Sequence, residues 1–176
     1  STALAAACFP ASAQQMLPAV TITATRFAEP AATLPFGVSV ITADDIRSAG
    51  VTTVNDAIMK LLGVVGRLDT SGGNNYSLDL RGFGSTSGSN QVVIVDGLRL
   101  NEADLTSAGL ASIPIATVEK IEVLRGNGAV LYGEGATGGV IVVTTRAGAG
   151  AQRKNAAEVY LAGGSLGRRE SRTTAT

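Results

Sequence analysis

The chain has 176 residues, 45% of them hydrophobic but only 4% aromatic, with 22 glycines and a formal net charge of zero. Charge balance offers no footprint for nucleic acid. The lack of His removes the commonest general base and metal ligand, and Cys8 alone makes neither a disulfide framework nor a thiolate zinc site. Catalysis would rest on carboxylates or hydroxyls, and no paired constellation of these stands out. The sequence reads as a glycine-rich, non-enzymatic domain with appendages, with no catalytic residue, metal ligand or covalent cofactor.

Residues 1–13 resemble the end of an exported precursor's leader. Ala3, Leu4, Ala5, Ala6, Ala7 and Phe9 make an apolar run, and Ala11-Ser12-Ala13 before Gln14 is an A-x-A cleavage pattern. The charged leader start is missing, so the numbering is expected to begin inside a precursor. An alternative makes Cys8 a lipoprotein acylation site. No stretch reaches the ~18 consecutive apolar residues of a membrane-spanning helix.

Residues 14–35 read as extended, punctuated by Pro18, Pro30 and Pro35. Within them Val20, Thr21, Ile22, Thr23, Ala24, Thr25 and Arg26 alternate like a strand. Two readings stand: an edge strand of the domain, or a segment that adds to a partner's sheet through main-chain bonds.

Residues 36–146 form the globular part. A strand is expected over 37–41. Thr42 with Asp45 three residues on opens a short helix that Gly50 stops. Thr53 opens a second, with Val54, Ala57, Ile58, Leu61 and Leu62 at helical spacing and Gly63 as terminator. A polar cluster at 70–75 precedes a strand over 77–81, and a glycine-rich loop comes next at 84–90. Asp96-Gly97 between two apolar runs predicts a two-residue hairpin, with Asp96 as a turn residue. A third polar loop spans 101–109. Residues 113–146 then hold two strands, over 121–124 and 140–145, around a loop carrying six glycines. Gly133-Glu134-Gly135-Ala136-Thr137-Gly138 matches G-x-G-x-x-G, but a β-branched run comes after it where a dinucleotide site needs a helix. Residues 147–155 are a flexible linker, and residues 156–176 open a further, truncated strand region.

Taken together, four ordered motifs resemble the N-terminal plug of a TonB-dependent outer-membrane receptor. They are the box-like Val20-Thr21-Ile22-Thr23-Ala24, the Arg81-Gly82-Phe83 turn, residues 92–101 with their Asp-Gly, and residues 118–141 with Ile121-Glu122-Val123-Leu124-Arg125-Gly126 and Gly138-Gly139-Val140-Ile141. Small departures are Leu62-Gly63-Val64 for Pro-Gly-Val, Asn127 for the Pro of Arg-Gly-Pro, and Val142 for a frequent Asn.

The resemblance implies an α+β fold: a small mixed four- to five-stranded sheet with short helices and long glycine-rich loops. It would lodge inside a transmembrane β-barrel and seal it. Arg81 and Arg125 would pair with barrel carboxylates, and both are expected to be solvated, and the domain marginal, without the barrel. Val20 to Arg26 would be the box that binds the periplasmic C-terminal domain of TonB. Asn74, Asn75, Ser87, Ser89, Asn101 and Asp104 would face the transported ligand, an iron–siderophore chelate or, alternatively, cobalamin. Localisation would be the bacterial outer membrane with the box facing the periplasm, and about twenty barrel strands of ~10 residues would come after residue 176. Readings from other classes are a soluble periplasmic strand-addition module and a nucleotide-dependent enzyme.

Overall fold

In the computed structural model of the chain, the described residues are 21–22, 29–30, 37–69, 75–100, 109–126, 132–146, 157–163 and 169–175. Strands β1 (Thr21–Ile22) and β2 (Glu29–Pro30) pair antiparallel, Thr21 opposite Pro30. Two residues of the box-like stretch are therefore paired within their own chain.

Strand β3 (Gly37–Thr42) leads directly into α1 (Ala43–Ala49). Thr42 caps that helix reciprocally. Its hydroxyl accepts the Asp45 N–H at 3.3 Å, and the Asp45 carboxylate accepts the Thr42 N–H at 2.9 Å. The Thr42 hydroxyl, donating to Asp45 Oδ2 at 2.7 Å, and after it the Thr42 N–H hold the Asp45 carboxyl below its usual 3.8 against slight desolvation. A lowered folded pKa means the contribution is present above the unfolded value and is lost as pH falls through the folded one. Thr42→Ala should therefore cost about 1 kcal/mol near neutral pH and less below pH ~3, which urea unfolding at the two pH values would measure. An equal loss at both would refute the charged form of the cap.

Gly50, in the left-handed conformation, ends α1 as expected, and Thr53 and Gly63 bound α2 (Val54–Leu62) in the same way. Val54, Ala57 and Ile58 are fully buried, while Leu61, expected on the same face, stays exposed in the last turn. Asn55 is buried instead, a polar position the apolar spacing did not mark.

Strands β4 (Val65–Leu68) and β5 (Tyr76–Asp79) form a separate antiparallel pair. The strand expected over 77–81 thus stops at Asp79. The loop expected over 84–90 is a 3-10 turn, Gly84–Asn90. Short polar side chains feed its carbonyls: the Thr86 hydroxyl donates to Phe83 O at 3.1 Å and the Ser89 hydroxyl to Thr86 O at 2.9 Å.

The hairpin β6 (Gln91–Val95) and β7 (Leu98–Arg99) turns at Asp96-Gly97, both with positive φ, 47° and 85°. This is the conformation a two-residue hairpin favours. Two more 3-10 turns, Leu110–Ser112 and Ile115–Thr117, lead into β8 (Val118–Arg125), and β9 (Gly139–Thr145) comes next. These strands form one five-stranded sheet of order β3-β8-β9-β6-β7. Every pairing is antiparallel except β6–β9, which is parallel. The architecture is α+β with a mixed sheet.

Both sheet faces are covered. One packs Ile41, Ile121, Val123, Ile141, Val143 and Val93 against Ile46 of α1 and Val54, Ala57 and Ile58 of α2. The other joins Val92, Ile94, Leu124, Val140 and Val142 to Ala136 and the half-buried Tyr132. Burying such side chains gives roughly 1.5–3 kcal/mol each, before the cost of ordering them. Glu122 belongs by register to this second face, between Val40 and Val142. It is fully buried, with the Lys120 ammonium 3.1 Å away.

A last pair, β10 (Ala157–Gly163) and β11 (Arg169–Ala175), is antiparallel over seven positions. The alternation in the sequence marked its first strand and not its second.

Candidate functional site

The sheet end where β8 stops and β9 starts gathers the two arginines singled out above. Arg125, the last residue of β8, lies opposite Gly37, the first of β3. Its guanidinium donates to Leu62 O at 2.8 Å, capping the carbonyl end of α2 where the helix dipole is negative. Arg81 lies just beyond β5, exposed, and its Nη1 reaches Thr137 O at 3.4 Å. Neither forms an ion pair among the described residues. Each keeps most of its donor fork available.

The turn carrying Arg81 is built on Asp79. Its Oδ1 accepts the N–H groups of Arg81, Gly82 and Phe83 at 3.3, 2.7 and 2.9 Å, and its Oδ2 accepts that of Gly84 at 2.8 Å. Partial desolvation pushes the carboxyl pKa up, but the four N–H groups together outweigh it and hold it below 3.8. Gly82 and Gly84 have φ of 82° and 63°, which lets consecutive N–H groups converge on one anion. Phe83 is left 40% exposed. The strand ends at Asp79, whose side chain captures the N–H groups of residues 81–84.

Residues 133–138 form the facing turn and lead into β9, not into a helix. Three side chains hold it. Arg99 of β7 donates to Glu134 O at 3.0 Å, Arg81 reaches Thr137 O, and the Asn90 side-chain oxygen accepts the Thr137 hydroxyl at 3.0 Å. Asn90 O also accepts the Gly138 N–H at 2.5 Å. A side chain at Gly138 would stand 2.5 Å from that oxygen. One at Gly139, where φ is 145°, would stand 2.5 Å from Leu124 O and 2.7 Å from the Leu80 side chain. These two glycines serve close backbone approach.

At the other sheet end Asp96 does more than turn the hairpin. Its carboxylate accepts the Thr145 N–H at 2.8 Å and the Thr145 hydroxyl at 2.7 Å, and its own N–H donates to Val143 O at 3.0 Å. The hairpin is thereby strapped to the end of β9.

Of the residues expected to face a ligand, Ser87, Ser89 and Asn75 lie among the described residues. Ser87 is buried, its hydroxyl 3.0 Å from that of Ser77, so it ties the 3-10 turn to β5 from beneath. Ser89 is half-buried and spends its hydroxyl on Thr86 O. Asn75 is half-buried. Its backbone oxygen accepts the Asp69 N–H at 2.8 Å, and its side-chain oxygen is shielded from solvent with no partner among the described residues. Asn74, Asn101 and Asp104 lie outside the described residues, as do Val20, Thr23, Ala24, Thr25 and Arg26; Thr21 and Ile22 form β1. Asp79, Asn90 and Arg99 were missed, as were the bonds from Asp96 to Thr145. Asp79, two residues before Arg81 in a strand pattern, offered the single legible cue, since carboxylates before glycine-rich turns often collect backbone donors.

Among the described residues no group of three or more Cys, Asp or Glu side chains could hold a metal. No helix there is long and apolar enough to cross a membrane, which says nothing of strands.

Residues 30–140 match the family model for the TonB-dependent receptor plug domain. Among solved structures, a double mutant of the ferric enterobactin receptor PfeA of Pseudomonas aeruginosa is 31% identical over 72% of the chain, with a TM-score of 0.52. The siderophore receptor PiuA of Acinetobacter baumannii is 24% identical over 84%, with a TM-score of 0.63. FpvAI in complex with pyocin S2 is 23% identical over 87%, with a TM-score of 0.68. The last two likenesses establish fold alone. In each case the chain spans 19% of the matched protein's length. The mixed sheet, the ordered motifs and the match over residues 30–140 place the chain in the TonB-dependent receptor plug domain family.

Proposed function

We propose that this domain is the gate of an outer-membrane active transporter for a ferric siderophore. The observation that carries the reading is the 31% identity to a ferric enterobactin receptor over 72% of the chain. In this reading the domain fills the lumen of a barrel, and Arg81 and Arg125 meet carboxylates on its wall. Arginine suits that role because its fork binds carboxylates bidentately and stays charged.

The hairpin β10–β11 would open the barrel. Val159 and Leu161 are 65% and 76% exposed, and their cross-strand partners are Thr173 and Ser171; Arg169, paired with Gly163, is the one charged register position on that face. The alternating register positions are Glu158, Glu170 and Arg172. One face charged only at its end and one with three charged positions suit a strand pair between lipid and a wet lumen.

Residues 20–26 would be the box that pairs with TonB. The chain enters the sheet through β3, which among the described residues is an edge strand bonded to β8. Tension on the box would reach the Gly37–Arg125 pair first and peel β3 from there. The polar loops, with Asn74, Asn75, Ser89, Asn101 and Asp104, would contribute hydrogen bonds to the chelate.

Two measurements test the reading. A peptide of residues 17–27 should bind the periplasmic domain of TonB. Its Ile22→Pro variant should bind at least about tenfold more weakly, because proline removes a main-chain donor and fixes φ. Equal binding would refute the box. Cells whose only such receptor carries this domain with its barrel should take up iron supplied as a ferric siderophore such as ferric enterobactin. Uptake of cyanocobalamin in its place would overturn the siderophore assignment.

A further inference from the structure

We infer that Asp79 is the positioning residue for Arg81: by gathering the four N–H groups of residues 81–84, its carboxylate fixes the turn from which the Arg81 guanidinium reaches out. The inference rests on the reading that Arg81 meets a barrel carboxylate, and it adds the device that keeps Arg81 free to do so. Asp79 and Arg81 are two residues apart with opposite charges. The simplest local outcome would be an ion pair between them, which would neutralise the arginine on its own turn. The structure has the opposite arrangement. Both Asp79 oxygens are occupied by backbone donors at 2.7 to 3.3 Å. The Arg81 side chain instead points across to Thr137 O, 3.4 Å away, and joins no ion pair among the described residues.

The turn has little else to hold it. Gly82 and Gly84 impose no side-chain restriction on the backbone, and Phe83 is partly exposed. Without an anion at their centre, four convergent N–H groups repel one another and the turn opens. Asp79 also lies at the junction of β5 and the 3-10 turn that supplies Asn90 to the glycine turn at 133–138. Its carboxylate therefore sets Arg81 and the surface it leans on together.

The test uses the complete receptor, plug and barrel, in detergent and in cells. In Asp79→Ala, amide hydrogen exchange at residues 81–84 should accelerate at least about tenfold, as expected for lost charge-assisted bonds, while β8 and β9 keep wild-type rates. Formate, a carboxylate small enough to enter the vacated centre, should slow that exchange again and leave the wild type unchanged. Asp79→Asn, which keeps the shape but not the charge, should fall between the two, and it serves if the alanine variant fails to fold. In cells, Asp79→Ala and Arg81→Ala should each reduce uptake of the iron chelate, and the double variant should be no worse than the Arg81 variant alone. Wild-type exchange in both Asp79 variants, no response to formate, or additive uptake losses would each overturn the inference. An Arg81→Ala variant with normal uptake would instead sink the barrel-pairing reading, and the exchange and formate arms would still decide whether Asp79 holds the turn.

Discussion

Gly139→Ala should destabilise the chain by about 3–5 kcal/mol, the sum of overpacking against fixed backbone and a residue forced into a conformation L side chains rarely adopt. The added carbon would lie 2.5 Å from Leu124 O and 2.7 Å from the Leu80 side chain. Leu80 could rotate, but Leu124 O belongs to β8, whose pairing with β9 sets the register of the sheet centre. Relief requires moving one of the two central strands. Gly37→Ala is the internal control: nothing lies within 4 Å of its added carbon, so its effect should stay within about 1 kcal/mol. Urea unfolding of the two variants measures the contrast, and equal midpoints would refute the close-approach argument.

Glu122→Ala should cost about 3–5 kcal/mol, in the range for removing one partner of a buried charge pair. The Glu122 side chain is fully buried and that of Lys120 only 21% exposed, with 3.1 Å between them. Truncation removes the carboxylate 3.1 Å from the ammonium and leaves a cavity beside Val40, Leu124 and Val142. The double replacement Glu122→Met with Lys120→Met should come within about 2 kcal/mol of the wild type, because it removes both charges and fills the space. A double variant as unstable as Glu122→Ala would show that the pair holds the fold through bonds an apolar pair cannot replace. Either result separates the energetic worth of the pair from the penalty of removing one member of it.

Features set by neighbouring residues could be read in the sequence. Thr42, Thr53, Gly50 and Gly63 bound their helices because capping involves atoms three or four positions apart. Asp96-Gly97 turned its hairpin for the same reason. The parallel pairing of β6 with β9 joins positions 48 apart, and no local pattern announces it. Nor was β4 legible: Val65 and Leu68 are exposed, and their strand exists only because β5 returns to pair with it. Glu122 sat inside a correctly expected strand, but its burial comes from two-sided covering of the sheet, a tertiary fact. The site divides in the same way. Arg81 and Arg125 came from motif order, whereas the Asp79 cradle depends on where four amides point after the chain has turned. Ser87 suited a ligand-facing loop by composition, yet the 3-10 turn rotates it inward to Ser77.

Strand directions carry one more consequence. Because β3 and β9 both lie antiparallel to β8, they run the same way. The chain therefore arrives at one end of the sheet, at Gly37, and departs from the other, at Thr145. These points are about 20 Å apart by strand length alone. Most domains bring their termini close together at one surface; here the sheet is itself a spacer of fixed length. Adding or deleting residue pairs along β8 and β9 would change the distance between the segment before Gly37 and the segment after Thr145 in steps of roughly 7 Å, while keeping every side chain on its own face.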